Sequence, residues 1–440
     1  MKDSGVEWIG EIPEDWEVKK VKHSFVRKNE KAMQENPIVL SLARSGVKER
    51  DISNNEGQLA ESYYNYNPVD IDDLLINPMD LYSGANCSIS KVKGVISPAY
   101  INLRAKKNVS PVFYDYYFKV QYWMMAFFAH GNGVSFENRW TLNNETLQNY
   151  PIVAPSFETQ QRIASYLDKK CNKIEETIQN QQQVIEKLKA YKQSLITEAV
   201  TGKIKIQNGK VCGKYENYKD SGVEWIGKIP SGWSCVQIKN IFRFLGGYAF
   251  NSEDYVDETE YQILRIGNVK DFKILFDSSP AYISKETALK VENYKLKPGY
   301  ILFTMTGTRG KKDYFYTHEI TIDDCKRKKL YLNQRVGCLI PKTDIKSSYF
   351  NYLLKDNLIK DSVFLNETGT ANQANIGSDD VMRIKLHCPP KEEQKEIAEY
   401  LDKKCTAIDT AIEQKQKLIE KLTEYKKSLI YECVTGKKEI

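Results

Sequence analysis

The stretch KDSGVEWIGEIPEDW at Lys2–Trp16 returns as KDSGVEWIGKIPSGW at Lys219–Trp233, with 12 of 15 positions identical and an offset of 217 residues. A longer repeat follows each copy, because residues 155–203 align without gaps to residues 389–437 at an offset of 234. More than half of these 49 positions are identical, including YLDKKC, EKL, SLI and VTGK. The chain is therefore an internal duplication in which a variable region is followed twice by a shared segment.

The longer repeat has the pattern of an amphipathic helix. Its apolar residues recur in alternating steps of four and three, which is typical of a coiled-coil seam. Each copy ends in Thr-Gly-Lys, a glycine stop, so each helix spans about 40 residues, or roughly 60 Å at 1.5 Å per residue. The predicted seam consists of Leu167, Cys171, Ile174, Ile178, Ile185, Leu188 and Leu195 in the first copy and of Leu401, Cys405, Ile408, Ile412, Ile419, Leu422 and Leu429 in the second.

A single helix with such a stripe would leave apolar side chains in water. We therefore predict that the two copies pair as an antiparallel coiled coil with internal pseudo-two-fold symmetry, since one chain already holds two matched seams. Homodimerisation through each helix separately is the alternative. Gln181 and Lys415 interrupt the stripe at equivalent positions, and they would face each other in an antiparallel pair.

The two variable regions, residues 17–154 and 234–388, read as globular domains. Both mix strand patterns with helical patterns in a comparable order, so we expect one shared fold and an α+β class overall, with two mixed α/β domains each followed by a long helix. Residues 204–218 read as a polar linker between the halves. The strand patterns lie at 72–78, 99–104, 300–305 and 335–341, and the helical ones at 114–129 and 348–359.

Length and charge are compatible with a multi-domain protein that binds a polyanion. The 440 residues exceed one ordinary core, and 64 Lys plus Arg against 58 Asp plus Glu leave a net charge of +6. We expect a cytoplasmic protein, because the start carries no basic and apolar leader and the longest apolar run, at 122–129, is too short to span a bilayer. The nine cysteines have no zinc-type spacing and are interpreted as reduced thiols, with no metal site.

The repeated order resembles one family, the specificity subunits of Type I restriction-modification systems. GVEWIGEIPEDWEV and GVEWIGKIPSGW are similar to that family's marker at the start of each target-recognition domain, and the stretches at 155–171 and 389–405 are similar to the entry into its conserved helices. The resemblance covers the whole chain. It implies target-recognition domains at 1–154 and 219–388, conserved long helices at 155–203 and 389–440, and the linker at 204–218.

The resemblance also implies a function and partners. Each recognition domain would read one half of a bipartite, asymmetric site in double-stranded DNA, while the helices set the spacing and dock two modification (methyltransferase) subunits. Restriction subunits would join that assembly. No cofactor is expected on this chain, since S-adenosylmethionine, ATP and Mg²⁺ would belong to the partner subunits.

Enzyme motifs do not assemble in the chain. No GxxxxGK[ST] loop occurs, and no Asn or Asp is followed by Pro-Pro-Tyr or Pro-Pro-Phe, so we expect no catalytic residues. Gly246 and Gly247 match a nucleotide-binding loop weakly, and a tight backbone turn is the favoured interpretation. A methyltransferase or nuclease with divergent motifs is one alternative. A DNA-mimicking protein is another, although such a mimic should be strongly acidic.

DNA reading requires cations for phosphates and polar or aromatic groups that reach base edges from loops. Both variable regions offer such loops, rich in glycine and cations, although any single residue could instead be an ordinary solvated charge. The candidates in the first region are Arg44, Lys48, Arg50, Asn86, Lys91, Lys93 and Arg139. Those in the second are Tyr248, Asn251, Arg309, Lys311, Lys312 and the cluster Lys326, Arg327, Lys328 and Lys329.

The repeated tryptophans of the first block could suggest base stacking. A repeated apolar pattern with prolines between is more typical of packing. We therefore predict that Trp8, Trp16, Trp225 and Trp233, with the isoleucines between them, seat each variable domain on the helices.

Overall fold

The computed structural model describes residues 1–52, 60, 62–79, 81–82, 86–133, 140–270, 273–342, 344–370 and 372–440. The chain forms two compact units, the first comprising Met1–Gln183 with Lys415–Ile440 and the second Val184–Gln414. Both divisions fall inside a long helix, because each variable domain packs on the start of one helix and the end of the other. The predicted boundaries between recognition domains and helices stay a prediction.

Unit 1 is a small α+β domain with short strands. Its strands are β1 (Lys2–Asp3), β2 (Glu11–Ile12), β3 (Glu17–Lys20), β4 (Phe25–Lys28), β5 (Leu40–Ala43), β6 (Gly46–Glu49), β7 (Asn67–Val69), β8 (Leu74–Ile76), β9 (Cys87–Ile89), β10 (Gly94–Ile96), β11 (Ile101–Ala105) and β12 (Pro151–Ala154). Its helices are α1 (Val21–Ser24), α2 (Pro111–Trp123), α3 (Ala126–Ala129), α4 (Asn144–Asn149) and the first part of the long helix α5 (Phe157–Val200).

Unit 2 repeats this plan with more strands. They are β13 (Ile206–Gln207), β14 (Lys210–Val211), β15 (Tyr218–Asp220), β16 (Lys228–Pro230), β17 (Ser234–Gln237), β18 (Phe242–Gly246), β19 (Tyr255–Val256), β20 (Tyr261–Leu264), β21 (Val269–Lys270), β22 (Lys273–Ile274), β23 (Tyr282–Ile283), β24 (Ile301–Thr304), β25 (Thr306–Gly307), β26 (Thr317–Glu319), β27 (Lys329–Leu332), β28 (Val336–Pro341), β29 (Thr368–Gly369), β30 (Ala374–Asn375) and β31 (Lys385–Cys388). The helices are α6 (Ile238–Ile241), α7 (Lys285–Lys290), α8 (Ile322–Arg327), α9 (Ser347–Leu353), α10 (Asn357–Phe364), α11 (Ser378–Arg383) and the long α12 (Lys391–Val434), with 3-10 turns at Ser252–Asp254, Ile266–Asn268 and Glu292–Tyr294.

The central sheets of the two units have the same topology. Unit 1 orders its strands β4-β11-β8-β9 and unit 2 orders them β18-β28-β24-β26, all antiparallel. In both sheets, the strand that comes first in the sequence pairs with the strand that comes last. The two remaining strands lie on the far side of that last strand. The four predicted strands and both predicted helical segments are present, and the expected shared fold is confirmed.

In each unit, the strand that follows the first repeated block pairs with the strand that precedes the long helix. β3 pairs with β12 in unit 1, and β17 pairs with β31 in unit 2. The offsets of these strands are 217 and 234, so the extra residues of the second half lie between them. Unit 2 carries there a mixed sheet, β19-β23-β20-β27, with β20 and β27 parallel.

The predicted linker at 204–218 is packed rather than free. It holds the hairpin of β13 and β14, and Ile206 is buried in the core of unit 2. Tyr215 Oη also donates to Glu393 Oε2 at 2.9 Å. The polar composition concealed this packing because only a few apolar residues, Ile204, Ile206 and Tyr215, anchor the segment.

The long helices end as the sequence predicts. Gly202 and Gly436 have φ values of +71° and +73°, and the next residue of each, Lys203 or Lys437, donates its N–H to a carbonyl five residues back. This is the Schellman arrangement, which glycine adopts without strain. A Cβ on Gly202 would lie 2.5 Å from the Pro230 ring, so the same glycine also admits the repeated proline block.

Within each unit the long helices run antiparallel. In unit 1, Lys426 Nζ contacts Glu175 Oε2 at 2.6 Å, and Lys415 Nζ donates to Gln181 Oε1 at 3.0 Å. In unit 2, Lys192 Nζ contacts Asp409 Oδ2 at 2.6 Å. At the offset of 234, Glu175 corresponds to Asp409 and Lys192 to Lys426, so the two ion pairs are equivalent. Gln181 and Lys415 also occupy equivalent positions at this offset. The predicted contact between Gln181 and Lys415 is therefore present.

The seam residues are buried or half-buried. Leu167 and Leu401 have no exposed surface, and Ile174 and Ile408 are 8% exposed each. Ile185, Leu195 and Leu429 are also buried, whereas Ile178, Leu188, Ile412, Ile419 and Leu422 are half-buried. Pairing along the full length of both helices stays a prediction.

The repeated tryptophan block packs on the helices in both units. Trp16 lies in one core with Ile163 and Val434, and Trp233 lies in another with Val200 and Ile397. Trp233 Nε1 donates to Glu393 Oε2 at 2.8 Å, which fixes the indole against α12. Packing, rather than base stacking, therefore accounts for these residues.

Two further features bear on the class of protein. In the part of the chain that the structure describes, no helix is long and apolar enough to cross a membrane. All nine cysteines are free thiols, and five of them are buried: Cys87, Cys171, Cys338, Cys405 and Cys433.

Candidate nucleic-acid interface

Several candidate residues of unit 2 lie on loops that meet at one edge of its central sheet. The register places Gly246 of β18, Gly337 of β28, Phe303 of β24 and Thr317 of β26 in one row across the sheet. β18 and β24 end at this edge, while β28 and β26 begin there. The loops at 247–251, 305–316 and 333–335 therefore emerge side by side from a rigid scaffold, an arrangement common in binding surfaces.

The glycine pair Gly246 and Gly247 lies at this edge, where the backbone of Gly247 closely approaches that of Asn333. A Cβ on Gly247 would lie 1.9 Å from the carbonyl oxygen of Asn333, so no larger residue fits without movement. The backbone N–H of Tyr248 donates to Leu332 O at 3.0 Å, and the backbone carbonyl of Tyr248 accepts from Gln334 N–H at 2.8 Å. The expected tight turn is therefore not present, since Gly246 ends β18; the close approach of Gly247 to Asn333 is what requires a glycine.

Tyr248 and Asn251 have structural contacts in this loop. The Tyr248 ring lies 4.9 Å from that of Phe250 and 5.3 Å from that of Tyr294, as measured between centroids. Asn251 precedes a 3-10 turn, and its N–H donates to Asp254 Oδ2 at 2.9 Å. Asn251 is exposed and Tyr248 half-buried, so the amide has the freer access to a ligand.

The loop that carries Arg309, Lys311 and Lys312 is ordered by its own carboxylate. Thr308 N–H donates to Asp313 Oδ1 at 2.7 Å, and this bond lowers the pKa of Asp313. Lys312 Nζ contacts Asp361 Oδ1 at 2.5 Å and lies 5.8 Å from the centroid of Phe364. Arg309 and Lys311 are exposed, and neither forms an ion pair with the described residues.

Carboxylates already neutralise the cluster at 326–329. Lys326 pairs with Asp323 at 3.1 Å, and Arg327 pairs with Asp277 at 2.8 Å while its guanidinium lies 4.3 Å from the centroid of Phe276. The two lysines that follow, Lys328 and Lys329, pair with Glu258 and Glu260 at 2.8 Å each. A phosphate would have to displace these carboxylates, so the cluster is a weaker candidate than the 309–311 loop.

The candidates of unit 1 centre on the β5–β6 hairpin. Ala43 faces Gly46 in the register, which puts Arg44 at the exposed tip, and Lys48 is exposed on β6. Asn86 Nδ2 donates to the Ala43 carbonyl at 2.5 Å. Asn86 therefore positions this hairpin, while Arg50, half-buried, follows its second strand.

A cavity of about 480 Å³ lies beside this hairpin tip. Arg44 and Asn86 line it together with Lys119, Trp123 and Lys427, and Lys427 Nζ is 5.8 Å from the Trp123 centroid. Sequence reasoning missed these last three residues. Trp123 belonged to a run interpreted only as helix, and Lys427 is distant in sequence, so no local pattern could have joined them to Arg44.

Unit 2 differs from unit 1 at the half-buried lysine of this region. Tyr116 and Tyr352 donate to Asp168 and Asp402, which are equivalent in the repeat, so Lys119 corresponds to Lys355. Lys119 pairs with Asp115 at 2.6 Å, whereas the equivalent of Asp115 in unit 2 is Asn351. Burial, followed by the charge of Lys192, lowers the pKa of the equivalent Lys355 to about 8. Lys355 lines a cavity of about 660 Å³ with Lys192 and Lys273, a cationic surface that the sequence did not reveal.

The two remaining lysines of unit 1 differ in their surroundings. Lys91 is exposed in a turn. Lys93 lies 3.9 Å from Asp70, whose pKa falls to about 2 because Arg104 and Lys28 also bind it. Arg139 lies outside the described residues. Contact with DNA stays a prediction for all the candidates, of which the 309–311 loop and the Arg44 hairpin are the most accessible.

The duplicated domains with exposed, cation-bearing loops define a class of DNA-recognition proteins. Residues 13–187 and 230–423 match the family model of the Type I restriction modification DNA specificity domain. The chain belongs to this family, and it is a specificity subunit of a Type I restriction-modification system with two DNA specificity domains. The prediction of a specificity subunit rather than an enzyme is confirmed by this family and by the names of its relatives.

Similar proteins span most of the chain. The Type I restriction enzyme MjaVIII specificity subunit of Methanocaldococcus jannaschii is 26% identical over 375 residues, which are 83% of this chain and 80% of the relative. The EcoBI specificity subunit of Escherichia coli is 21% identical over 86% of this chain and 76% of its own. A solved chain from a study of complex assembly and conformational transition of the type I R-M system superposes with a TM-score of 0.68 at 13% identity, covering 97% of this chain and all (100%) of that one. This last likeness shows the fold.

Proposed function

We propose that each unit reads one half of a bipartite, asymmetric DNA site. One observation carries the proposal: the two central sheets have the same strand order, but the loops at their edges differ in sequence and length. A shared scaffold with unlike loops can read two unlike half-sites. Symmetric loops would instead predict a palindromic target.

The proposed contacts fall into two kinds. Exposed cations such as Arg309 and Lys311 bind backbone phosphates and supply sequence-independent affinity. Polar groups at the loop edge, Asn251 among them, reach base edges and supply the specificity. The loops at 247–251 and 305–316 are supported for this role because the sheet holds them side by side.

We also propose that the long helices set the spacing between the half-sites and dock two modification subunits. Each helix contributes residues to both units, and its outward face is polar and exposed. Restriction subunits join the same assembly. S-adenosylmethionine, ATP and Mg²⁺ act in these partner subunits, and the complex works in the cytoplasm on double-stranded DNA.

Methylome sequencing of a host with and without the gene tests the proposal, in a strain whose modification subunits are active. A bipartite adenine-methylated motif should vanish on deletion and return on complementation. A matched complementation with the Trp16→Ala and Trp233→Ala variant, which loosens both domains from the helices, should fail to restore it. An unchanged methylome after deletion would refute the proposal.

A further inference from the structure

A cavity of about 510 Å³ lies in unit 2 where the end of α5, the 204–218 segment and the repeated block meet. Its volume is in the range of small-molecule sites. The side chains that matter are Lys203, Lys214, Lys228 and His387, with Ile226 on the apolar side. None of these residues belongs to the loops assigned above to DNA.

The cavity is cationic. Lys203, Lys214 and Lys228 are exposed, and none of them forms an ion pair within the described part of the chain. Glu198 is the one carboxylate of the described lining, against three ammonium groups. By contrast, Lys192, Lys312 and the four cations at 326–329 each have a carboxylate partner. Three ammonium groups against one carboxylate in one concave site favour an anionic ligand.

The lining residue His387 also carries a buried polar atom. His387 is 3% exposed, and its Nδ1 finds no hydrogen-bond partner among the described residues. Burial lowers the pKa of His387 to about 4, so the ring is neutral at pH 7. An unpartnered buried ring nitrogen is unfavourable for folding.

The internal repeat shows that the fold does not require these residues. The equivalents in unit 1 are Glu11 for Lys228 and Val153 for His387, and Val153 is fully buried in β12. The same scaffold thus forms with a carboxylate and an aliphatic side chain in their places. Lys228 and His387 are specific to the cavity of unit 2, which indicates a role in binding rather than in folding.

We propose that this cavity binds a phosphate monoester carried on an apolar or ring-bearing group. The ammonium groups of Lys203, Lys214 and Lys228 bind the phosphate oxygens. Ile226 and the exposed Leu358 contact the organic part, which favours a nucleotide-like ligand over a bare ion. The inference is independent of DNA recognition by the loops.

Titration of the full chain with adenosine 5′-monophosphate tests the proposal. The chain has four histidines, so ring ¹H–¹⁵N spectra are simple, and the His387→Val variant assigns the His387 signals. We expect saturable shifts of these signals with the nucleotide, smaller ones with inorganic phosphate and none with adenosine. Shifts that do not saturate, or equal shifts with adenosine, would overturn the proposal.

Charge variants distinguish specific binding in the cavity from nonspecific electrostatic attraction to the protein surface. Lys228→Glu, which installs the residue of unit 1, should weaken binding by about tenfold, since reversing a nearby charge is worth about 1.4 kcal/mol or more. Lys214→Ala, a smaller change, should weaken it less. Lys210→Glu is the matched control, because Lys210 is exposed on β14 and outside the cavity. Equal weakening by Lys210→Glu would overturn the proposal.

A last arm identifies the source of the phosphate. A short duplex of unrelated sequence is added to the complex with the nucleotide. Displacement of the nucleotide assigns the site to backbone phosphates of DNA, and retention assigns it to a small phosphorylated ligand. Retention supports the proposal, whereas displacement overturns it, because the backbone phosphates of DNA are diesters rather than monoesters.

Discussion

Alanine at Arg309 and Lys311 should flatten the salt dependence of DNA binding by nearly two phosphate contacts. Each neutralised phosphate contributes about 0.9 to the slope of log affinity against log salt, so two cations without an ion pair in the described part of the chain account for about 1.8. Lys312 should contribute much less, because Asp361 already holds its ammonium group at 2.5 Å. A triple variant that includes Lys312 should therefore lose about 1.8 rather than the roughly 2.7 expected from three free cations.

The assay is fluorescence anisotropy of a labelled duplex at salt concentrations from about 50 to 200 mM, where phosphate contacts change affinity strongly. Any duplex serves, since this part of the affinity is independent of sequence. The matched control removes two carboxylate-paired cations, Lys326 and Arg327, and should change the slope by well under 0.9. A normally folded Arg309→Ala, Lys311→Ala variant with the wild-type slope would refute the reasoning. So would an equal loss in the control.

Three further predictions concern stability and spacing. Leu401→Ala should lower the free energy of unfolding by about 2–5 kcal/mol because Leu401 is fully buried, whereas Leu418→Ala, at a site 42% exposed, should cost under about 0.5 kcal/mol in urea unfolding. The pKa of His387 is about 4 in the folded chain and about 6.5 in the unfolded chain, so protonation of the unfolded chain lowers the free energy of unfolding as the pH falls from 6.5 toward 4. Urea unfolding of His387→Val should lack this decrease, which amounts to up to about 3 kcal/mol. An equal decrease in the variant would contradict the prediction. One heptad inserted after Gln182 and after Gln416 should lengthen the preferred spacer by about 3 base pairs, with weaker binding because the half-site also rotates; a folded variant that keeps the original spacer would exclude the helices as the ruler.

The sequence predicted the duplicated fold well because the internal repeat and the helical spacing can both be recognised without tertiary information. The repeat of Lys2–Trp16 marks each domain start, and the four-three spacing from Leu167 to Leu195 marks a helix without tertiary information. Even the contact between Gln181 and Lys415 follows from symmetry, since an antiparallel pair brings equivalent positions together. The packing of the linker was missed because Ile204, Ile206 and Tyr215 are few among the polar residues of the segment.

The candidate interface was less predictable because charge pairing is tertiary. Lys326 and Arg327 form a conspicuous basic cluster in the sequence, yet their carboxylates come from Asp323 close by and from Asp277, which is 50 residues away. Conversely, Lys427 joins the Arg44 cavity from α12, far along the chain. Which cations are available to DNA depends on such distant partners.

The central claim, that each unit reads its own half-site, is tested most directly by exchanging one domain. Residues 17–154 are replaced with the corresponding region of a relative, and the methylome is sequenced in a host with active modification subunits. One half of the methylated motif should change, while the other half and the spacer length stay as in the wild type. A change in both halves, or in neither with the exchanged protein present and folded, would contradict the account.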